Sequence, residues 1–309
     1  MRTSTGSPPE RAGTCPPRME DLLGILVSLA PSLGWRWALT SVFQNDLNLV
    51  RYTTDPSRLA CVDLLDLDNT QDVLEIGAGL GQMTVALGRK AKSLTALEVV
   101  PQQAEFVRQR CRQEGLRNLR VVCGGSDARL AFPSASFDRV VLNYVLEWCA
   151  NRTPEDPRLV QERMLSEARR VLRPGGVLFV ATKNRFGAPY LLGGRDEHSG
   201  GRRWSCLVPE RLRPLLWGTA ARARLPSRRW LERALSRAGF TELSGLWAYP
   251  DARWPRGFVP LARPDKIGAV LNSADGSIAT NRRSALLMRF APRSLLKEIT
   301  PSLVYLAKA

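Results

Sequence analysis

Histidine is nearly absent: His198 is the only one in 309 residues. The six cysteines (Cys15, Cys61, Cys111, Cys123, Cys149 and Cys206) are scattered without the close pairing of a metal site, so no metal is expected. A chain this long buries enough surface to fold without disulfide staples, and a reducing cytoplasm is its expected setting. Long apolar runs are missing as well. The longest near the start, Leu22 to Ala30, falls far short of the roughly 20 residues that a bilayer span needs, and Glu20 and Asp21 precede it. Neither a signal peptide nor integral membrane association is expected.

The remaining composition is that of a globular protein, with 44% hydrophobic and 24% charged residues, but the net charge is +16. Anions are attracted to such a surface. Residues 202 to 263 concentrate the excess, with thirteen arginines against Glu210, Glu232, Glu242 and Asp251. Two readings apply: a solvated surface shaped by a compositional preference for arginine over lysine, or a true anion-binding face. The expected partner is an anionic small or carrier-linked molecule, with nucleic acid as the lesser alternative.

Residues 1–18 are rich in Pro, Ser, Thr and Gly and read as a disordered leader. Apolar residues at helical spacing from Met19 to Leu65 predict an N-terminal helical cap over 19–65. From Asp72 strands alternate with helices, which requires a parallel sheet with both faces covered. The strands expected are Val73 to Ile76, Leu94 to Val99, Leu119 to Cys123, Phe137 to Tyr144 and Val177 to Ala181. Val160, Met164, Ala168 and Val171 mark the best-specified helix, followed by a turn at Pro174, Gly175 and Gly176. Ser227 is placed to cap a helix that Gly239 stops, and a strand through Leu246 and Trp247 follows. The domain reading is a core at 66–249 with an insertion at 184–226, a second insertion or substrate lobe at 250–300, and a final strand within 301–309.

The chemistry gathers where the first strand enters Glu75-Ile76-Gly77-Ala78-Gly79-Leu80-Gly81. Glycine tolerates positive φ and lets a ligand approach the backbone. A dinucleotide turn reads GxGxxG, whereas here the third glycine comes one residue early, and Gln82 stands where the last Gly or Ala belongs. Glu98 ends the second strand about 20 residues beyond the first glycine, placed to accept hydrogen bonds from both ribose hydroxyls. Ser126, Asp127 and Ala128 follow the third strand, where Asp127 can receive the amino group of adenine. Ligands of open parallel sheets bind at this carboxyl edge.

EIGAGLG, Glu98, SDA, FDRVVLNYVLEW and RRVLRPGGVLFVATKN together resemble the class I S-adenosylmethionine-dependent methyltransferases, over roughly residues 45 to 248. The resemblance implies an α/β, Rossmann-like sheet of seven strands in the order 3-2-1-4-5-7-6, with helices on both faces, an inserted substrate lobe and an antiparallel seventh strand from Leu303 to Ala307. It implies S-adenosyl-L-methionine as cofactor. Glu75, Gly77, Ala78, Gly79 and Gly81 would face the methionine part, Glu98 the ribose, Ser126, Asp127 and Ala128 the adenine, and Asn143 the same site from the fourth strand.

Methyl transfer from a sulfonium is an in-line displacement, and a hydroxyl acceptor needs a base. His198, in the loop beyond the fifth strand, is the candidate; its alternative is a solvated loop residue. NRFG, Tyr190, Gly193 and the Asp-Glu-His ending, with Ser227 to Phe240 and Trp247 to Asp251, resemble bacterial methyltransferases of glycan and polysaccharide assembly. Asn143-Tyr144 lacks the prolines of the DNA amino-methylase loop, and Cys149 lacks the Pro-Cys context of a cytosine-C5 nucleophile. Trp204, Trp217, Trp230 and Trp254 interleave with arginines as stacking platforms might be arranged, although Trp230 with Ala234 has the spacing of core packing. The expected activity is O-methylation of an anionic sugar, nucleotide-sugar or glycan-type intermediate. The alternatives are an RNA methyltransferase using the basic 202–263 segment, and a non-catalytic, cofactor-binding regulatory or scaffold protein.

Overall fold

The strand and helix alternation closes into one mixed sheet. The computed structural model describes residues 18–217, 223–272 and 282–309, so nearly all of the expected leader lies outside the described residues. Strands β1 (Asp72–Ile76), β2 (Ser93–Glu98), β3 (Leu119–Cys123), β4 (Phe137–Asn143) and β5 (Leu172–Lys183) run parallel. Two-residue strands β6 (Arg195–Asp196) and β7 (Arg202–Arg203) pair separately. β8 (Glu242–Tyr249), β9 (Gly257–Pro260) and β10 (Ser302–Lys308) complete the large sheet, in the order β3-β2-β1-β4-β5-β10-β8-β9.

Two expectations need correction. The sheet has eight strands rather than seven, because Gly257–Pro260, in a segment read as lying outside the sheet, pairs antiparallel with β8 and covers its edge. Pro174, Gly175 and Gly176 do not separate a turn from a later strand. They bulge out within β5, whose Leu172 pairs with Phe137 and whose Val177 pairs with Arg139. Gly175 makes this possible with φ +77°, and its N–H donates to the Ala309 carbonyl at 3.0 Å.

Helices α1 (Met19–Leu33), α2 (Trp35–Val42), α3 (Leu47–Thr54) and α4 (Ala60–Asp63) precede the sheet. α5 (Gln82–Lys90) and α6 (Pro101–Gln113) connect β1 to β3, and α7 (Pro157–Val171) connects β4 to β5. Short α8 (Ala188–Leu191) and α9 (Arg213–Trp217) follow β5, and α10 (Arg228–Arg237) leads to β8. α11 (Pro264–Asn272), α12 (Arg282–Phe290) and α13 (Arg293–Leu296) lie between β9 and β10.

α7 forms as its sequence dictates. Asp156 accepts from the Arg158 N–H at 2.7 Å, Arg169 and Arg170 oppose the dipole at the far end, and Val160, Met164, Ala168 and Val171 are buried. Burial of each large apolar side chain there contributes about 1.5–3 kcal/mol. The N-terminal helices are held by α6: Gln113 donates to the Ala30 carbonyl and accepts from the Trp35 N–H, both at 2.7 Å. Leu26, Leu39 and Phe106 pack with Leu80 of the glycine turn, which seats the cap beside it.

Candidate cofactor and acceptor site

The chain leaves β1 through three glycines with positive φ: Gly77 at +75°, Gly79 at +55° and Gly81 at +76°. The Gly77 and Ala78 N–H groups both donate to the Leu97 carbonyl, at 2.7 and 3.1 Å, which binds the turn to the end of β2. A Cβ on Gly77 would stand 2.3 Å from Val145 Cγ2, so a hydrogen is required there twice over. Gly81, in the left-handed conformation, starts α5 at Gln82, where the sequence places it.

Glu98 is buried at the end of β2, its carboxylate accepting from the Gly79 N–H at 2.8 Å and the Val100 N–H at 2.9 Å. Burial pushes its pKa up, against the pull of these backbone donors. A cleft of about 650 Å³ lies beside it, walled by Leu97, Val99, Val145 and Met164 and bordered by Gly125 and Ser126. Its apolar walls suit a flat heteroaromatic ring. Ala128 is packed in the core with φ +60°, and Asp127 is exposed, accepting from the Arg129 N–H at 3.1 Å. Ser126 therefore borders the cleft, while the Asp127 side chain is engaged with its own turn.

On the other side of Gly77 a second cavity, of about 770 Å³, runs under α1 and α3 and is bordered by Glu75, Gly79, Gln82 and Asn143. Glu75 is buried and accepts from Thr84 Oγ1 at 2.6 Å; desolvation lifts its carboxyl to about 8. Three residues that line this cavity each have a buried polar atom with no hydrogen-bond partner: Gln82 Oε1, Asn143 Oδ1 and one terminal nitrogen of Arg58. Two are acceptors and the third is a charged donor. An ammonium and a carboxylate on one ligand satisfy this set, whereas leaving a buried group unsatisfied costs about 1–3 kcal/mol. Arg58, stacked 3.4 Å over the Tyr52 ring, comes from the cap and carries no motif; only the helical prologue hinted at its region.

A third cavity of about 920 Å³ adjoins the second through Leu49 and Tyr52, and Tyr144, Glu147, Trp148, Arg253 and Trp254 line it. His198 is buried behind it, its ring 4.4 Å from that of Trp148. His198 Nδ1 lies 2.9 Å from Asp196 Oδ1, while Nε2 and the facing Glu147 Oε1, 3.9 Å apart, both lack hydrogen-bond partners. Thr182 holds the other Glu147 oxygen at 2.9 Å, and burial raises the Glu147 carboxyl although His198 opposes the rise. Lys183 pairs with Glu197 at 2.5 Å, and Arg253 with Asp251, which also accepts from the Tyr144 hydroxyl at 3.1 Å. Glu147 lay unremarked inside the FDRVVLNYVLEW segment, because nothing local in sequence marks it as the partner of His198.

Four arginines of the 202–263 segment are engaged inside the fold, whereas Arg202, Arg203, Arg229, Arg233, Arg237, Arg256 and Arg263 are exposed. Arg224 pairs with Glu210 and Gln161, Arg228 with Glu232 and Glu298, Arg253 with Asp251, and Arg213 donates to the Cys206 carbonyl. Trp230 is packed in the core beneath Arg224, Trp204 is half exposed, and Trp254 lies between Arg51 and Arg253; the Trp217 side chain lies outside the described residues. Burial pushes the Cys149 thiol up to about 12, which leaves it a packed thiol rather than a nucleophile. Among the described residues no His, Cys, Asp and Glu cluster has the makings of a metal site, and no helix is long and apolar enough to cross a membrane.

A parallel run from β3 to β5 that closes on an antiparallel β10, with a glycine turn after the central β1, defines one class. The fold is that of the class I S-adenosylmethionine-dependent methyltransferases, with a mixed central sheet and flanking helices. Residues 74–180 match the family model described as a methyltransferase domain. Demethylmenaquinone methyltransferase of Tropheryma whipplei is 29% identical over 136 residues, which cover 43% of this chain and 52% of that protein. Protein-L-isoaspartate O-methyltransferase 1 of Polaromonas sp. is 36% identical over 84 residues, 26% of this chain and 34% of that protein. The chain thus spans about half the length of the demethylmenaquinone methyltransferase, or less for the second relative. A solved S-adenosylmethionine-dependent methyltransferase from Thermotoga maritima aligns at 18% identity with a TM-score of 0.49, over 88% of this chain and 99% of that one. Residues 74–180 are thus similar to a methyltransferase domain, and S-adenosylmethionine is the cofactor this fold takes. The unpartnered atoms of the second cavity fit its amino-acid end, and the apolar cleft beyond Gly77 fits its base.

Proposed function

We propose that this protein methylates an oxygen of an anionic small or carrier-linked molecule, of the sugar, nucleotide-sugar or glycan-intermediate type. The observation that carries the transferase reading is the matched set of unsatisfied atoms, Gln82 Oε1, Asn143 Oδ1 and the Arg58 guanidinium, beside the glycine turn. S-adenosylmethionine, when bound, supplies an electrophilic methyl group on a sulfonium. Gln82, Asn143 and Glu75 take its ammonium, Arg58 its carboxylate, Glu98 its ribose, and the cleft at Leu97 and Val145 its adenine.

The acceptor occupies the third cavity, which shares Leu49 and Tyr52 with the second. Arg253, ion-paired with Asp251, is the cation that lines this cavity beside Asp46, Glu147 and Glu197, and Tyr52, Trp148 and Trp254 supply ring surfaces against which a sugar face packs. His198 acts as base. Asp196 fixes its Nδ1, and Glu147, which lines the cavity, stands between its Nε2 and the acceptor and passes the hydroxyl proton inward. The inward pairing of Arg213, Arg224 and Arg228 gives an RNA-tracking face less free charge than the sequence count suggests. Incubation with an isotopically labelled methyl donor and fractionated cell extract, followed by mass spectrometry of the labelled product, tests this reading. Label on RNA or protein instead of a small anionic molecule overturns the acceptor class, and no label in any fraction overturns the activity.

A further inference from the structure

Beyond β5 the chain leaves large apolar side chains in water. Leu215 and Leu216 of α9 are 81% and 59% exposed, and Leu286 and Phe290 of α12 are 57% and 77% exposed. α8 touches α12 on one side and the turn at Ser205–Leu207 on the other, and it adds half-exposed Leu191 and Leu192. α8 and α12 touch, so Leu191, Leu192, Leu286 and Phe290 sit on neighbouring elements rather than being scattered singly, and α9 continues the insertion that begins with α8; such an arrangement marks an interaction surface.

α12 shows how the lobe is built. Ser284 and Met288, four residues apart, are buried, whereas Leu286 and Phe290, also four apart, face solvent. Residues 282–297 contain Arg282, Arg283, Arg289, Arg293 and Lys297 and no acid, and Arg289 and Arg293 are exposed. Apolar side chains flanked by exposed arginines such as Arg289 and Arg293 are the pattern of an element that lies in the headgroup layer of an anionic bilayer.

We propose that the lobe formed by α8, α9 and α12 docks this protein peripherally on an anionic membrane surface. RNA would meet the arginines but leave Leu215 and Phe290 in water, whereas a bilayer interface takes both kinds of side chain at once. The lobe issues from the carboxyl end of β5, the edge that also carries the glycine turn, so a docked molecule holds its cavities near the lipid headgroups. The proposal does not depend on methyl transfer, because vesicle binding needs no turnover.

The test is co-sedimentation of the full chain with vesicles of phosphatidylcholine alone and of phosphatidylcholine mixed equally with phosphatidylglycerol. Binding is expected only to the anionic vesicles, and it should weaken as salt is raised. Leu215→Asp, Leu216→Asp and Phe290→Asp combined should reduce the bound fraction about tenfold or more, with S-adenosylhomocysteine affinity unchanged as the check on folding. Arg289→Ser with Arg293→Ser should weaken binding and flatten its salt dependence. Equal binding by the triple aspartate variant, or no binding of the unaltered chain to either vesicle, overturns the proposal. Salt-sensitive capture on RNA that survives the aspartates, without vesicle binding, overturns it in favour of a polyanion surface.

Discussion

The Arg58 guanidinium lies 3.4 Å over the Tyr52 ring and donates toward the Arg253 carbonyl at 3.4 Å, with one terminal nitrogen left unpartnered at the cavity beneath the N-terminal helices. The stack fixes a buried cation beside Glu75, Gln82 and Asn143. Arg58→Ala should weaken S-adenosylhomocysteine binding by about 1.5–3 kcal/mol, the range for a lost charge-assisted hydrogen bond. Calorimetry reads this directly, and unchanged affinity removes Arg58 from the cofactor site.

Glu98→Ala should have a similar effect on affinity, about 1.5–3 kcal/mol, because the carboxylate is lost both to ribose and to the Gly79 and Val100 N–H groups that shape the turn. Thermal denaturation without ligand separates the two contributions. A fall in melting temperature with intact affinity would assign Glu98 to the loop alone.

The Glu75 carboxyl, lifted to about 8 by burial, is mostly protonated in the free protein at neutral pH. An ammonium ligand favours the carboxylate, so binding must release a proton, and affinity for S-adenosylhomocysteine should rise as pH climbs toward about 8. Calorimetry in two buffers of different ionisation enthalpy counts the proton. Glu75→Gln should flatten the pH dependence; a dependence that survives the substitution belongs to another group.

Gly77→Ala places a methyl 2.3 Å from Val145 Cγ2 at a φ of +75°. The expected loss is about 1–3 kcal/mol of stability, measured by denaturant unfolding. Val145→Ala in the same chain should recover the steric part and leave the cost of the positive φ, a partial rescue that a double-mutant cycle resolves.

His198→Ala should lower turnover by about 10²–10⁴-fold, the usual range for a general base, with cofactor affinity near that of the unaltered protein. Glu147→Gln should lower turnover as well and shift the pH profile, since it removes the carboxylate facing Nε2. Full activity of both variants would make the pair a structural element of the buried network.

The parts legible in the sequence are those whose causes are local. Val160, Met164, Ala168 and Val171 repeat at helical period, and α7 buries all four. Ser227 caps α10, and Gly115 and Gly239 adopt positive φ just past α6 and α10, where their missing side chains permit it. Pro174, Gly175 and Gly176 serve a turn or a bulge equally well by sequence, and the choice of a bulge lies with the neighbouring strands β4 and β10. β9 carries no such local signal: Phe258 and Val259 are adjacent rather than alternating, and these four residues form a strand only because β8 offers an edge.

The glycine turn, the acid ending β2 and the order of alternating elements were determined by the sequence alone, since backbone freedom and hydrophobic period act over a few residues. Tertiary structure alone decided that Arg58 from the cap and Asn143 from β4 border one cavity, and that Glu147 faces His198 across the loop beyond β5. Such partners are chosen by where crossovers return the chain and by the cost of leaving buried polar atoms unpaired, and neither quantity is written in any short stretch of residues.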